Sequence, residues 1–274
     1  MLKQIINNIR IINKTRTYRF VLILMFSIII TLTLVEYVFI IKTSDYDIYS
    51  YFPLTNSDVF VANNLMLFLA PLCSSIFVVD LPSVHKDMEV SIFTRIKKNK
   101  FYFSNLIASF ITGFVLVLLL VVSMYLIALA MWNSKVTYFT EYPTINLINP
   151  GFAERAFSSL LLNHPIIYNL FYIFLLSLYS GLMSALGYSI ALINHKKYLI
   201  SLYMFAVSLP LIFFKVIFPN GLATWYPQNL FLPNSLQANS PGIFTISRGI
   251  VFWIAILTIV PIVLVMIKSR QEEI

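Results

Sequence analysis

Long apolar runs separated by short polar stretches dominate the pattern of this 274-residue chain. A helix of about 20 mostly apolar residues is long enough to cross the hydrocarbon core of a bilayer. The pattern predicts six such spans, which cover residues 20–41, 59–79, 104–131, 166–194, 198–218 and 249–267. The predicted fold is therefore all-α, a polytopic membrane protein whose residues 1–274 form a single transmembrane domain.

Residues 1–19 predict a helix of a different kind, in which apolar and polar positions alternate at helical spacing. The apolar positions that share one face are Leu2, Ile5, Ile6, Ile9 and Ile12. This pattern is typical of an interfacial helix that lies on the membrane without crossing it. A secretory signal peptide would need an apolar core of about 7–15 residues and a small-residue cleavage site, and neither is found here.

The most highly charged stretch, residues 80–100, lies between the second and third predicted spans. Short loops rich in Lys and Arg stay on the cytoplasmic side of a membrane, so this stretch is expected inside. Within it Val84, Met88 and Ile92 fall on one helical face. Asp80 is suited to cap that helix, and Pro82 fits its first turn. The two interpretations are a docking helix for a partner and a solvated loop that only fixes topology.

The predicted outer segments contain two features that differ from ordinary loops. Residues 219–247 are aromatic, rich in proline and nearly uncharged, which predicts a re-entrant outer hairpin enclosed by protein or water. Residues 156–162 predict a short helix on the outer surface.

Polar, small and proline residues inside the spans suggest where helices meet or bend. Ser177, Gly181 and Ala185 recur every four residues, a spacing that lets helices approach closely, within one subunit or between two, and we favour the first. Glu36 is either a proton or cation site or an interfacial carboxylate. Pro71 and Pro210 are expected to bend the second and fifth spans.

Composition and charge agree with a membrane protein. Apolar residues make up 59% and charged residues 11% of the chain, whereas soluble proteins have roughly 45–50% and about 25%. The net charge of +8 could indicate nucleic acid, but 14 of the 19 Lys and Arg residues fall in the predicted inner segments. Topology explains this distribution, so we expect no nucleic-acid partner, a plasma-membrane location and two cytoplasmic termini. The single cysteine, Cys73, allows no intramolecular disulfide and suggests no metal cluster.

Motifs for catalysis are missing from the sequence. There is no G-x-x-x-x-G-K-[ST], H-E-x-x-H or G-x-S-x-G pattern, so we expect neither an enzyme nor a bound cofactor or metal. The spans also lack the series of Asp, Glu and His residues that proton-driven transporters use. Energy for transport would then have to come from a partner.

The order of elements resembles the ABC-2-type permeases, which are membrane subunits of ABC exporters. The resemblance rests on the amphipathic start, six spans, a charged inner loop and a broken outer hairpin. Inside the loop, Asp80, Glu89, the Thr94-Arg95 pair and Lys100 resemble the family pattern. The chain differs from eukaryotic relatives because it has no outer cysteines to form a disulfide.

The resemblance implies that the loop acts as a coupling helix seated in a groove of an ATP-binding ABC ATPase subunit. The coupling residues would be Asp80, His85, Lys86, Asp87, Met88, Glu89, Ile92 and Arg95. The other expected partners are a second permease copy or a sister permease, and membrane lipids. The expected function is export of an apolar or amphipathic substrate (peptide, lipid or drug). The alternative is an ATP-independent membrane carrier or a membrane scaffold.

The charge asymmetry makes a direct prediction about topology. Single cysteines at Ser91 and Ser240, in a Cys73→Ser background, should react with an impermeant reagent from opposite sides of the membrane. Labelling of intact cells from outside measures this, and modification of both positions would rule out the six-span arrangement.

Overall fold

The computed structural model describes residues 1–36, 73–78, 81–82, 97–131, 157–193, 230–231 and 246–271. Its main helices are α1 (Leu2–Lys14), α2 (Arg16–Glu36), α3 (Lys98–Met131), α4 (Ser158–Asn163), α5 (Pro165–Ile193) and α6 (Ile246–Gln271). No β-strand occurs in these ranges. The all-α prediction is confirmed for the described part of the chain.

Three of the described helices are long and apolar enough to cross a membrane: Lys98–Ile127 in α3, Ile166–Ile193 in α5, and α6. They contain nearly all of the third, fourth and sixth predicted spans. α2 covers most of the first predicted span, although the side chain of Glu36 is outside the described part. The fifth span and most of the second span and outer hairpin, including Pro71 and Pro210, also lie outside it.

α3 begins six residues before the predicted start of its span at Ser104. The first turns carry Lys98 and Lys100, which is why a hydropathy pattern excludes them from the span. They are nevertheless helical, because Phe101 and Tyr102 are buried and the Phe101 amide donates to the Lys97 carbonyl at 3.1 Å. Packing thus extends the helix into the charged region.

Residues 15–18 end one helix and start the next. The Thr15 hydroxyl donates to the Ile12 carbonyl at 2.7 Å and accepts from the Tyr18 amide at 3.2 Å. The first bond satisfies a carbonyl at the end of α1, and the second caps the start of α2. One side chain therefore holds the junction between the interfacial helix and the first predicted span.

α1 packs on the protein through half of its predicted apolar face. Ile5 and Ile12 are buried beside α3, together with Asn8, whose amide donates to the Ser104 hydroxyl at 3.3 Å. Leu2 and Ile6 remain exposed. The sequence pattern predicted one continuous apolar face. In the structure, Ile5 and Ile12 of this face pack on the protein, whereas Leu2 and Ile6 face outward.

α5 lies at the centre of the described helices. Of the most apolar stretch in each candidate span, 78% is buried in α5, 50% in α3 and 22% in α6. α5 packs against α3, α4 and α6. α6 turns a largely exposed apolar surface outward, with Val251, Ile259 and Val263 on it. A surface of this kind suits contact with lipid chains.

The α3–α5 interface is a seam of small residues in which the two helices run antiparallel. Ser184 of α5 lies opposite Ser109 and Gly113 of α3. Phe174, which comes earlier in α5, meets Phe114, which comes later in α3, edge to face with ring centroids 5.7 Å apart. A Cβ atom added to Gly113 would lie 2.6 Å from the Ser184 Cβ. One added to Gly181 would lie 3.0 Å from the Phe110 carbonyl oxygen.

This geometry shows where the small-residue spacing of α5 is used. Ser177 and Ala185 are buried with Gly181 in the described core. Because the neighbour of Gly181 is α3 of the same chain, packing within the subunit, the favoured interpretation, is confirmed. Such contacts stabilise membrane helices through van der Waals packing, which requires close approach of the backbones.

Proline 261 lies inside α6 and is buried. Proline lacks an amide hydrogen, so the carbonyl of residue 257 loses its usual helical partner. Leu257 is buried as well, which places the weakened turn on the side of α6 that faces protein.

The contact between Gly113 and Ser184 predicts that one methyl group added at Gly113 would push α3 and α5 apart. Gly113→Ala should lower the free energy of unfolding by about 1–2 kcal/mol, because overpacking outweighs the better helix propensity of alanine. Thermal unfolding of the purified protein measures this change.

A double substitution tests whether the loss comes from the contact itself. Adding Ser184→Gly removes the opposing Cβ and should recover part of the loss. Ser189→Gly is the matched control, since Ser189 is also buried but lies about 7 Å further along α5. The change in the free energy of unfolding caused by Ser189→Gly should simply add to the change caused by Gly113→Ala. If the changes caused by Ser184→Gly and Gly113→Ala were also additive, Gly113 and Ser184 would not be in contact, and the seam would be wrong.

Candidate functional site

The coupling residues predicted from the sequence lie outside the described residues. This applies to all eight of them: Asp80, His85, Lys86, Asp87, Met88, Glu89, Ile92 and Arg95. The structure describes the two ends of their loop, at residues 81–82 and 97–100. The site is therefore built from how these ends are attached.

The first end continues from a compact turn. The Val78 amide donates to the Ser75 carbonyl at 3.2 Å, and the Leu81 amide donates to the Val78 carbonyl at 3.0 Å. Leu81 is buried in the same core as Phe77 and Val78. We refer to residues 73–78 with Leu81 as the loop anchor.

The loop anchor is fixed to α5 by two close contacts. The Ser74 hydroxyl donates to the Ser180 carbonyl at 2.9 Å. Two turns further along α5, a Cβ added to Gly187 would lie 2.9 Å from the Ser75 Cβ. Glycine at 187 therefore permits an approach that any larger residue would block. The end of the second predicted span, which leads into the loop, is therefore held close to the backbone of α5.

α2 also contacts the loop anchor. The Tyr18 ring meets the Phe77 ring edge-on, with centroids 5.3 Å apart and an interplanar angle of 89°. Burial raises the pKa of the Tyr18 phenol, so it stays neutral at physiological pH. Edge-to-face pairs of this kind contribute about 0.5–1.5 kcal/mol beyond area burial. The loop anchor thus joins α2 to α5.

The second end of the loop is the start of α3 itself. Lys97, Lys98 and Lys100 lead directly into Phe101 and Tyr102, which are buried. The first turns of α3 contact α1 through Asn8 and Ser104. Both ends of the loop are consequently held by buried core residues, one against α5 and the other as part of α3.

The chemistry of this region is that of packing and hydrogen bonding. Among the residues that the structure describes, no three His, Cys, Asp or Glu side chains come together as metal ligands. Serine and threonine hydroxyls mostly bond carbonyls of their own helix, as Ser109 does to Asn105 at 2.7 Å and Thr112 to Ala108 at 2.8 Å. These bonds satisfy the hydroxyl donors within each helix and leave the contacts between helices mostly to packing.

Asn169 is a buried polar residue that the sequence reasoning did not single out. It is 0% exposed, and neither atom of its amide has a hydrogen-bond partner in the described part of the chain. The Asn105 side-chain oxygen is in the same situation. The sequence did contain a signal for this site, because an asparagine inside a long apolar run needs a hydrogen-bond partner at membrane depth.

Substitutions at two of the buried asparagines, Asn169 and Asn8, are expected to change stability in opposite directions. Replacing Asn169 by leucine should raise the free energy of unfolding by about 1–3 kcal/mol, because an unsatisfied buried amide is removed. Asn8→Leu is the matched control. It should lower stability by about 0.5–1.5 kcal/mol, since a hydrogen bond to Ser104 is lost. Thermal unfolding in one detergent compares them, and a destabilised Asn169→Leu protein would mean that this amide is satisfied in solution.

Comparison with known proteins assigns the chain to no family. No protein-family model matches the sequence, and no curated protein or solved structure matches it.

Proposed function

We propose that the chain is the membrane-spanning permease subunit of an ATP-binding-cassette transporter. It exports an apolar or amphipathic substrate, such as a peptide, lipid or drug, using ATP hydrolysed by a partner subunit. The observation that carries this proposal is the attachment of the charged loop, residues 80–100, at both of its ends to the buried core. Leu81 at one end is buried in the core, and the other end continues into α3 as a helix, so a partner docked on the loop would act directly on packed helices.

Force from a docked partner has a defined route into the membrane. Displacement of the loop is transmitted at one end through Leu81 and the Ser74–Ser180 hydrogen bond to α5. At the other end it acts on α3, of which Lys98 is the first residue. Because the Gly113–Ser184 contact leaves no free space, the two helices respond together. Packed interfaces change between discrete arrangements because they cannot deform continuously.

Within the loop the proposed roles follow from residue type. Val84, Met88 and Ile92 form the apolar face that seats in a groove of the ATPase. Glu89 and Arg95 are charged contacts at the rim, which set docking register and association rate.

An apolar or amphipathic substrate fits the interior of the described helices. The polar side chains buried there are serine, threonine and asparagine, and none of those in the described ranges is charged. An uncharged interior offers hydrogen bonds but no compensation for an ionic group, whose transfer from water is costly. Two permease copies, or this chain and a sister, would enclose the path in the plasma membrane, with both termini in the cytoplasm.

Co-purification tests the proposal first. The full chain, isolated in mild detergent, should carry a P-loop ATPase in stoichiometric amount. Purification without any ATPase, combined with transport that continues after ATP depletion, would favour the ATP-independent carrier. Purification without an ATPase or transport would favour the scaffold.

Charge reversal in the loop tests the docking surface. Glu89→Lys combined with Arg95→Glu should slow ATPase association by about 10-fold or more and change its salt dependence, because charged contacts at the rim of an interface act mainly on the association rate. Expression and membrane insertion should be unchanged, since exposed substitutions alter stability by about 0.5 kcal/mol at most.

The matched control reverses a pair on a predicted outer segment, Lys42→Glu with Asp58→Lys. It should leave ATPase association and turnover at the unaltered level. If the loop reversal also leaves both unchanged, the loop is a solvated connection and the coupling role is wrong.

A further inference from the structure

We propose that the end of the structure formed by α1 and the starts of α2 and α3 is a docking surface for anionic phospholipid headgroups. This proposal does not depend on the transport function. It rests on three observations about the described residues: a divided apolar face, a concentration of basic side chains, and their position at the end of a candidate membrane span.

α1 presents an apolar strip that the protein does not cover. Leu2 is 73% exposed and Ile6 is 45% exposed. They lie one turn apart, beside the buried face of Ile5 and Ile12. Beyond the strip, Lys3, Arg10 and Lys14 form an exposed row. Apolar and cationic side chains in adjacent strips are the arrangement by which helices lie in the headgroup region.

The neighbouring helix starts extend the basic surface. Arg16 and Arg19 are exposed at the start of α2, and Lys97, Lys98 and Lys100 lie just before and within the first turn of α3. We refer to these five residues and the α1 row as the cationic end. Neither α2 nor α3 has an acidic residue in its first turn, and residues 1–35 contain no Asp or Glu.

The same contacts place this surface at the membrane boundary. Asn8 of α1 donates to Ser104, which lies in the second turn of α3. The candidate span in α3 starts at Lys98. When α3 crosses the bilayer, α1 therefore lies at the level of the headgroups.

Position and charge together favour lipid over other polyanions. Phospholipid places acyl chains beside Leu2 and Ile6 and phosphate beside Lys3, Arg10 and Lys14. An anionic leaflet attracts basic segments within a Debye length of the surface. A nucleic acid or an acidic protein would leave the exposed apolar strip unmatched.

The test uses the full chain in nanodiscs of phosphatidylcholine with increasing phosphatidylserine. An environment-sensitive dye is attached to Ile6→Cys in a Cys73→Ser background. Dye emission should shift to the blue as phosphatidylserine is added, and high salt should reverse the shift. Replacing Lys3, Arg10 and Lys14 by glutamine should weaken the phosphatidylserine response by about fivefold for each cation.

The matched control keeps the charge: Lys3→Arg, Arg10→Lys and Lys14→Arg should retain the response. Equal emission in both lipids, or an unchanged response in the glutamine variant, would overturn the proposal. The salt titration needs no change in the α1 row, so it remains decisive if the glutamine variant fails to fold.

Discussion

Close approach of α3 and α5 is the constraint on which the rest of the structure depends. Glycine and serine let the helices meet at the distance between Gly113 and Ser184, and larger side chains would hold them apart. Inside a bilayer the hydrophobic effect does not drive helices together, so packing and hydrogen bonds must do so. The other described elements are arranged around this pair: the loop anchor and α6 against α5, and α1 against the start of α3.

The same seam connects the membrane interior to the charged loop. Gly187 and Ser180 hold the loop anchor, while Gly181, on the same helix, holds α3. A movement at the loop therefore cannot leave the α3–α5 interface unaffected. This property suits the proposed role of a subunit driven from outside the membrane. Asn8 joins α1 to the first turns of α3 in the same way, so the proposed lipid contacts of α1 would act on α3 as well.

Local pattern predicted the helices but not how they divide their surfaces. Hydropathy places α5 and α6 within a few residues, and the spacing of Ser177, Gly181 and Ala185 predicts a close helix contact. The start of α3 at Lys98 was missed because hydropathy excludes lysine, whereas the first turns of α3 are packed against α1, which is distant in sequence. The split face of α1 and the isolated amide of Asn169 depend likewise on neighbours distant in sequence. The predicted coupling residues, from Asp80 to Arg95, lie outside the described part and stay predictions.

The hydroxyl groups of α3 have a consequence for how the chain is made. α3 precedes α5 in the chain and is therefore synthesised first, so its seam residues exist before their partners do. Ser104, Ser109 and Thr112 each donate to a carbonyl of their own helix, at 2.7, 2.7 and 2.8 Å. Because these donors are satisfied within the helix, the hydroxyl groups of α3 need no neighbouring helix at membrane depth. When α5 arrives, its Ser184 donates to the Ser109 carbonyl, so pairing adds a bond without breaking one.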